Sequence, residues 1–191
     1  VHEASCHSQN CFITLTYNDE SLPSGASLDY RDFQLFMKRL RKRYGAVRFY
    51  MAGEYGEKCV VCDRNLRDCL CGAGRVVTIG RPHFHSCVFG LDFSDKVYYK
   101  TLGSGFKLYT SKCLETLWPA GFSSVADVTF ESAAYVARYC MKKVTGPDAG
   151  VHYTRVDSES GEIFSVCPEF NRMSLKPGIG AEWFARFSRD V

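Results

Sequence analysis

One stretch constrains the chain more than any other: residues 80 to 85 read Gly-Arg-Pro-His-Phe-His. Side chains alternate across a strand, so His83 and His85 project to one face and Phe84 to the other. The run that follows, Ser86 to Gly90 (Ser-Cys-Val-Phe-Gly), has strand character, and Pro82 suits a strand start. A fold that accommodates this segment needs a sheet with an apolar face to receive Phe84. Its other face must hold two imidazoles side by side, where they can grip a metal ion. The alternative is a pair of partly buried histidines with no ligand.

At 191 residues the chain suits a single domain, 1–191, with an apolar and aromatic content sufficient for a core. No stretch approaches a membrane span, and no signal-peptide pattern opens the chain. The net charge of +3 does not by itself announce nucleic acid, but the positive residues are clustered. No Gly-x-x-x-x-Gly-Lys phosphate loop is present, which argues against an ATPase. Ten cysteines accompany a full hydrophobic pattern, so a reducing compartment with some cysteines as metal ligands is expected.

Residues 1–10 read as the tail of a helix, with His2 and His7 at its surface. Cys11 to Tyr17 is expected to be the first strand, with Thr14 and Thr16 on one face and Ile13 and Leu15 on the other. Asp29 to Tyr44 predicts a helix with a core stripe of Tyr30, Phe33, Met37, Leu40 and Tyr44, capped by Ser27 or Asp29 and ended at Gly45. Its last turns carry Lys38, Arg39, Arg41, Lys42 and Arg43, either a solvated face that complements the helix dipole or a ridge for phosphates. Val47 to Tyr55 predicts a strand that turns Glu54 toward the face of Arg48 and Tyr50. There it could join the histidines as a third metal ligand.

Residues 57–79 interrupt the sheet. Cys59, Cys62, Cys69 and Cys71 have the spacing of a tetrahedral structural zinc site, with local disulfides or unpaired thiols as alternatives. A polar, glycine-containing region covers 92–110, followed by a short helix at 111–118 and strands at 122–128 and 161–166. Residues 172–180 have turn character, and 182–187 suggest a terminal helix.

Thr129 to Val144 predicts a second long helix with Thr129 as its N-cap. At about 100° per residue, Tyr139 falls roughly 40° to one side of Tyr135 and Lys142 about 20° to the other. Ala133, Val136, Ala137, Cys140 and Val144 are expected to face the core. Two tyrosines and a lysine beside a histidine pair and a carboxylate fit a tyrosine nucleophile attacking a phosphodiester near a bound metal. The phenol's ordinary pKa is about 10, and the Lys142 ammonium would favour the phenolate. Two imidazoles and one carboxylate suit Mn²⁺; Mg²⁺, which prefers oxygen ligands, is the alternative.

The ordered set resembles the rolling-circle replication initiators of the His-hydrophobic-His (HUH) endonuclease superfamily, and within it those of gokushovirus-type Microviridae phages. The resemblance is carried by Phe12-Ile-Thr-Leu-Thr-Tyr17, Gly80 to His85, and Tyr135-Val-Ala-Arg-Tyr139-Cys-Met-Lys142-Lys143. Gly53 to Gly56 and Arg172 to Gly180 add to it. It implies an α+β HUH endonuclease fold: an antiparallel sheet of about five strands with packed helices in a ferredoxin-like arrangement, plus the zinc-knuckle insertion. It also implies origin nicking through a 5′-phosphotyrosine adduct and circle closure. Tyr139 would act first, as its spacing to Lys142 suggests, and Tyr135 in the closing transfer. Thr14, Thr16, Lys38, Arg39, Arg41, Lys42 and Lys143 would contact single-stranded origin DNA. A host helicase and replication machinery would be partners, and the bacterial cytoplasm the compartment. The rival readings are a plasmid- or transposon-type HUH nuclease, a metal hydrolase that activates water, and a non-enzymatic zinc-knuckle nucleic-acid-binding module.

Overall fold

The computed structural model describes residues 1–59, 64–65, 80–156 and 160–189, with the backbone alone for 139–142. The α+β class is as expected. In chain order the elements are α1 (His2–Ser5), β1 (Asn10–Thr16), α2 (Tyr30–Tyr44), β2 (Arg48–Tyr55), β3 (Pro82–Phe89), β4 (Val97–Thr101), β5 (Lys107–Thr110), α3 (Lys112–Leu117) and β6 (Ser123–Ala126). There follow α4 (Phe130–Lys142), α5 (Ala149–His152), β7 (Thr154–Val156), β8 (Ile163–Ser165), β9 (Phe170–Met173) and α6 (Ala181–Phe187).

The main sheet has seven strands, not about five, in the order β4-β5-β6-β1-β3-β2-β9, and every pairing is antiparallel. Three of its strands lie in segments expected to be loop or turn. The β4–β5 hairpin escapes a periodicity reading because β4 is exposed along its whole length, so no alternation marks it. β9 is a short edge strand on β2. The strand expected at 161–166 exists as β8 but joins β7 in a separate two-stranded ribbon.

The sheet's alternation sorts the aromatic residues. Ile13, Leu15, Phe49, Met51, Phe84 and Val88 form one cluster with Phe33, Phe36, Met37 and Leu40 of α2 and with Trp118. Phe36 belongs to this stripe although the sequence reading omitted it, and Tyr44 sits at the stripe's edge, partly exposed. Asp29 is the N-cap of α2, accepting from the Arg31 N–H at 2.7 Å, while the Ser27 hydroxyl accepts from Cys167 instead. α4 lies on the opposite face, over β2, β3 and β9. A second cluster forms there, with Phe12, Ala52, Cys87, Phe89, Ala126 and Val136 buried and Ala133 packed against them. The Thr129–Ser132 capping box starts α4. Ala137 is exposed rather than turned to the core.

α1 is anchored by its one buried acid. Glu3 binds Arg48 at 2.5 Å, His7 at 3.0 Å and the Gly180 N–H at 2.7 Å, joining the start of the chain to β2 and to the start of α6. His7 is therefore half-buried rather than a surface residue, and exposed His2 stacks on Trp183.

Candidate metal and tyrosine site

Register brings the site together. His85 pairs with Thr14 on one side and Ala52 on the other; His83 pairs with Thr16 and Glu54. Directly paired residues share a face, so both histidines, Glu54, Thr14 and Thr16 lie on the α4 side. Phe84 points away and is fully buried, with ring centroids 5.6 Å from Phe33 and 6.0 Å from Trp118.

The Nε2 atoms of His83 and His85 each lie 2.6 Å from the same Glu54 oxygen, Oε1. The three residues form a triad able to hold a metal ion, with ligand atoms within 4.8 Å of one another. The outer nitrogens are engaged too. His83 Nδ1 is 3.1 Å from the Arg81 carbonyl, which can only accept, so Nδ1 carries the proton. In the neutral ring, Nε2 then presents a lone pair to a carboxylate oxygen, an arrangement that calls for a proton or a cation between them. His85 Nδ1 meets the Thr14 hydroxyl at 2.9 Å. Glu54 is buried, and its Oε2 has no hydrogen-bond partner among the described residues. Burial pushes the Glu54 carboxyl up, but the bonds to His83 and His85 outweigh it and hold the group below the usual carboxylate range. A two-imidazole, one-carboxylate set with an unsatisfied buried oxygen fits a divalent cation with nitrogen tolerance.

α4 delivers a tyrosine to this triad. The Tyr135 ring stands edge-on to His85 at 5.2 Å and to Phe12 at 6.4 Å, and Phe12 stacks on His85 at 5.6 Å. Tyr135 keeps 45% of its surface exposed, so a substrate can approach it. Tyr139 and Lys142 fall on the following turn of the same helix, where only the backbone is described. The nearest thiol on this face, Cys87, is pushed by burial up to about 11, which leaves it protonated at neutral pH.

The residues expected to touch DNA divide into two groups. Thr14 and Thr16 sit at the site, but their hydroxyls serve the protein, Thr14 at His85 and Thr16 donating to the Phe122 carbonyl at 2.9 Å. Lys143 is exposed just past α4. The basic ridge of α2 belongs to the other side of the sheet. There Arg39 donates to the Leu117 carbonyl and Arg41 to that of Val47, while Lys38 and Lys42 stay exposed. Two roles at the site went unnoticed in the sequence. Thr14 orients His85. Arg81 pairs with Asp19 and donates to the Tyr17 carbonyl, fixing the lead-in to β3. Only register, which no spacing reveals, places Thr14 beside His85.

The Cys-rich insertion leaves from the sheet end next to the triad. Gly80 donates to the Gly56 carbonyl and Gly56 to that of Arg81, closing a neck. A Cβ at Gly80 would come within 2.2 Å of the Gly56 carbonyl oxygen, so the neck requires glycine. Cys59 is buried just beyond the neck; Cys62, Cys69 and Cys71 lie outside the described residues.

Among the described residues, no helix is long and apolar enough to cross a membrane. Comparison with known proteins found a family model for the phage replication-associated protein ORF2 matching residues 10–61 and 74–144. The replication-associated protein VP4 of Bdellovibrio phage phiMH2K is 30% identical, over 97% of this chain and 51% of its own length. Replication-associated protein ORF2 of Spiroplasma virus 4 is 30% identical over 92% and 47%, and ORF4 of Chlamydia phage 1 is 33% identical over 76% and 34%. The chain spans about half the length of these Microviridae relatives, or less. No solved structure matches it. The matched model runs from β1 through the histidine strand to the end of the tyrosine helix, and the chain belongs to the replication-associated protein ORF2 family.

Proposed function

We propose that this chain carries the nicking and joining activity of a phage replication initiator, acting on single-stranded origin DNA with a tyrosine nucleophile. The antiparallel sheet with α4 over the histidine face is compatible with an HUH endonuclease fold. The observation that carries the reading is the convergence of His83 and His85 on Glu54, with the Tyr135 ring 5.2 Å from His85.

Glu54, His83 and His85 would hold Mn²⁺ or Mg²⁺, which supplies polarisation and orientation of the scissile phosphate. The phenolic oxygen of a tyrosine attacks phosphorus, the bond from phosphorus to the 3′ oxygen breaks, and that oxygen leaves as a 3′-hydroxyl once protonated. The DNA 5′ end stays on the enzyme as a phosphotyrosine. The reverse attack by a 3′-hydroxyl releases the phenol and restores the phosphodiester, so joining needs no ATP. Lys142 favours the phenolate. Tyr135 and Tyr139 supply the two nucleophiles. The Tyr139–Lys142 spacing argues for Tyr139 in the first transfer, the contact with His85 for Tyr135. Lys143 binds phosphate, and Thr14 acts through His85. Cys59, Cys62, Cys69 and Cys71 hold a structural zinc that staples 57–79 within the single domain. A host helicase follows the nick in the bacterial cytoplasm.

The test is cleavage of labelled single-stranded origin DNA with Mn²⁺ and with chelator. Wild type should cut only with metal, and His83→Ala/His85→Ala should not cut while still binding DNA. Metal-independent cleavage by that variant would contradict the assignment. Protein purified under reducing conditions should contain roughly one zinc per chain, lost in Cys59→Ser/Cys62→Ser.

A further inference from the structure

Beyond the triad, the histidine face continues toward the β4 edge. Register extended by one position places Phe122 opposite Thr16, and the Thr16 N–H donates to the Phe122 carbonyl at 2.9 Å. Thr16 is itself paired with His83. Two strand spacings, about 10 Å, therefore separate Phe122 from the triad's strand on the same face. The Tyr99 ring lies 5.5 Å from that of Phe122, and the Lys100 ammonium sits 5.3 Å from the Tyr99 ring centroid. A register shift in β4 between Tyr98 and Lys100 explains this grouping. Tyr98 pairs with Tyr109, which packs against the α2-side core, whereas Lys100 pairs with Leu108, which packs against the α4-side cluster. The extra residue, Tyr99, turns with Lys100 toward the histidine face.

Tyr99 and Phe122 are 50% and 46% exposed, and Lys100 is exposed. Aromatic rings left open on an edge hairpin favour self-association, a cost that a ligand would offset. Their chemistry selects the ligand. Two open rings offer stacking faces to unpaired bases, and a lysine beside them complements the phosphates. A duplex, with its bases already stacked, cannot use them.

We propose that Tyr99 and Phe122, with Lys100, form a stacking platform for bases of the single-stranded DNA that runs from the Glu54–His83–His85 triad toward the β4 edge. This rests on the reading of the chain as acting on single-stranded DNA. It adds the track along which the strand lies.

The test is fluorescence anisotropy of a labelled oligo-dT strand with the full chain in chelator, which separates binding from cleavage. Tyr99→Ala/Phe122→Ala should weaken binding about 5- to 150-fold for each stacked base, with duplex affinity unchanged. Tyr99→Phe should bind as wild type, and Tyr99→Leu, apolar but unable to stack, as weakly as Tyr99→Ala. Lys100→Gln should lower the salt slope by about 0.7. Unchanged single-strand affinity in the double variant, an equal loss on duplex, or full binding by Tyr99→Leu would overturn the platform. If the platform variants lose oligo-dT binding but wild type forms no covalent adduct, the nuclease reading falls and the platform stands. If wild type forms the adduct and the platform variants bind normally, the reverse holds.

Discussion

On the α2 side of the sheet, Phe84 is fully buried among aromatic residues. On the α4 side, its neighbours His83 and His85 keep a polar cluster beside a half-exposed tyrosine. The same strand thus serves two ends by alternation. One face is close-packed and gives rigidity. The other gives up part of that packing to hold a buried carboxylate, two imidazoles and an approachable Tyr135. Polar groups concentrated on one face of a well-packed sheet are held by the apolar residues behind them. Stability and function should therefore separate by face.

The largest effect breaks the rigid face. Phe84→Ala should cost about 3–5 kcal/mol, read as a lowered thermal midpoint. His85→Ala, one residue away, should shift the midpoint far less yet abolish Mn²⁺ binding by titration calorimetry. Equal destabilisation by the two variants would mean that both faces are structural core.

A subtler change sharpens the contrast within the polar face. Thr14→Val keeps the shape but removes the hydroxyl that meets His85 Nδ1 at 2.9 Å. Loss of such an orienting partner typically weakens metal affinity about 10- to 100-fold, and Thr14→Ser should restore it. Affinity unchanged in Thr14→Val would remove Thr14 from the site.

The smallest effect lies away from both faces, at α1. Burial raises the Glu3 carboxyl, but bonds from the Gly180 N–H, His7 and Arg48 prevail and hold it below its ordinary value. A lowered folded pKa means that the unfolded chain takes up the proton first as pH falls. The contribution is therefore complete above the ordinary carboxylate value and is lost as pH drops through the lowered one. Thermal midpoints of wild type and Glu3→Gln should differ at neutral pH and converge on acidification below about pH 4. A pH-independent gap would show that Glu3 acts by packing alone.

The sequence disclosed those parts of the fold that alternate or recur. β1, β2, β3, α2 and α4 follow from periodicity, and the histidine pair from strand parity. The β4–β5 hairpin did not, because an edge hairpin exposed on both sides has no burial pattern to read. β9 did not, because four residues paired on an edge resemble a turn. Glu54 could be placed on a strand but not beside His83, since register depends on pairing rather than on spacing. The His85–Thr14 contact has the same origin. The distribution of basic residues misled differently: the ridge on α2 complements its helix dipole and caps carbonyls on the face away from the triad.

The central claim is that the polar face presents tyrosines to DNA at the triad. Mass spectrometry of the covalent adduct, after incubation with single-stranded origin DNA and Mn²⁺, tests it most directly. The account predicts a denaturant-resistant DNA adduct on a peptide containing Tyr135 or Tyr139. Each Tyr→Phe single variant should shift the linkage to the remaining tyrosine, and Tyr135→Phe/Tyr139→Phe should form no adduct. DNA attached to any other residue, or an undiminished adduct in the double variant, would contradict it.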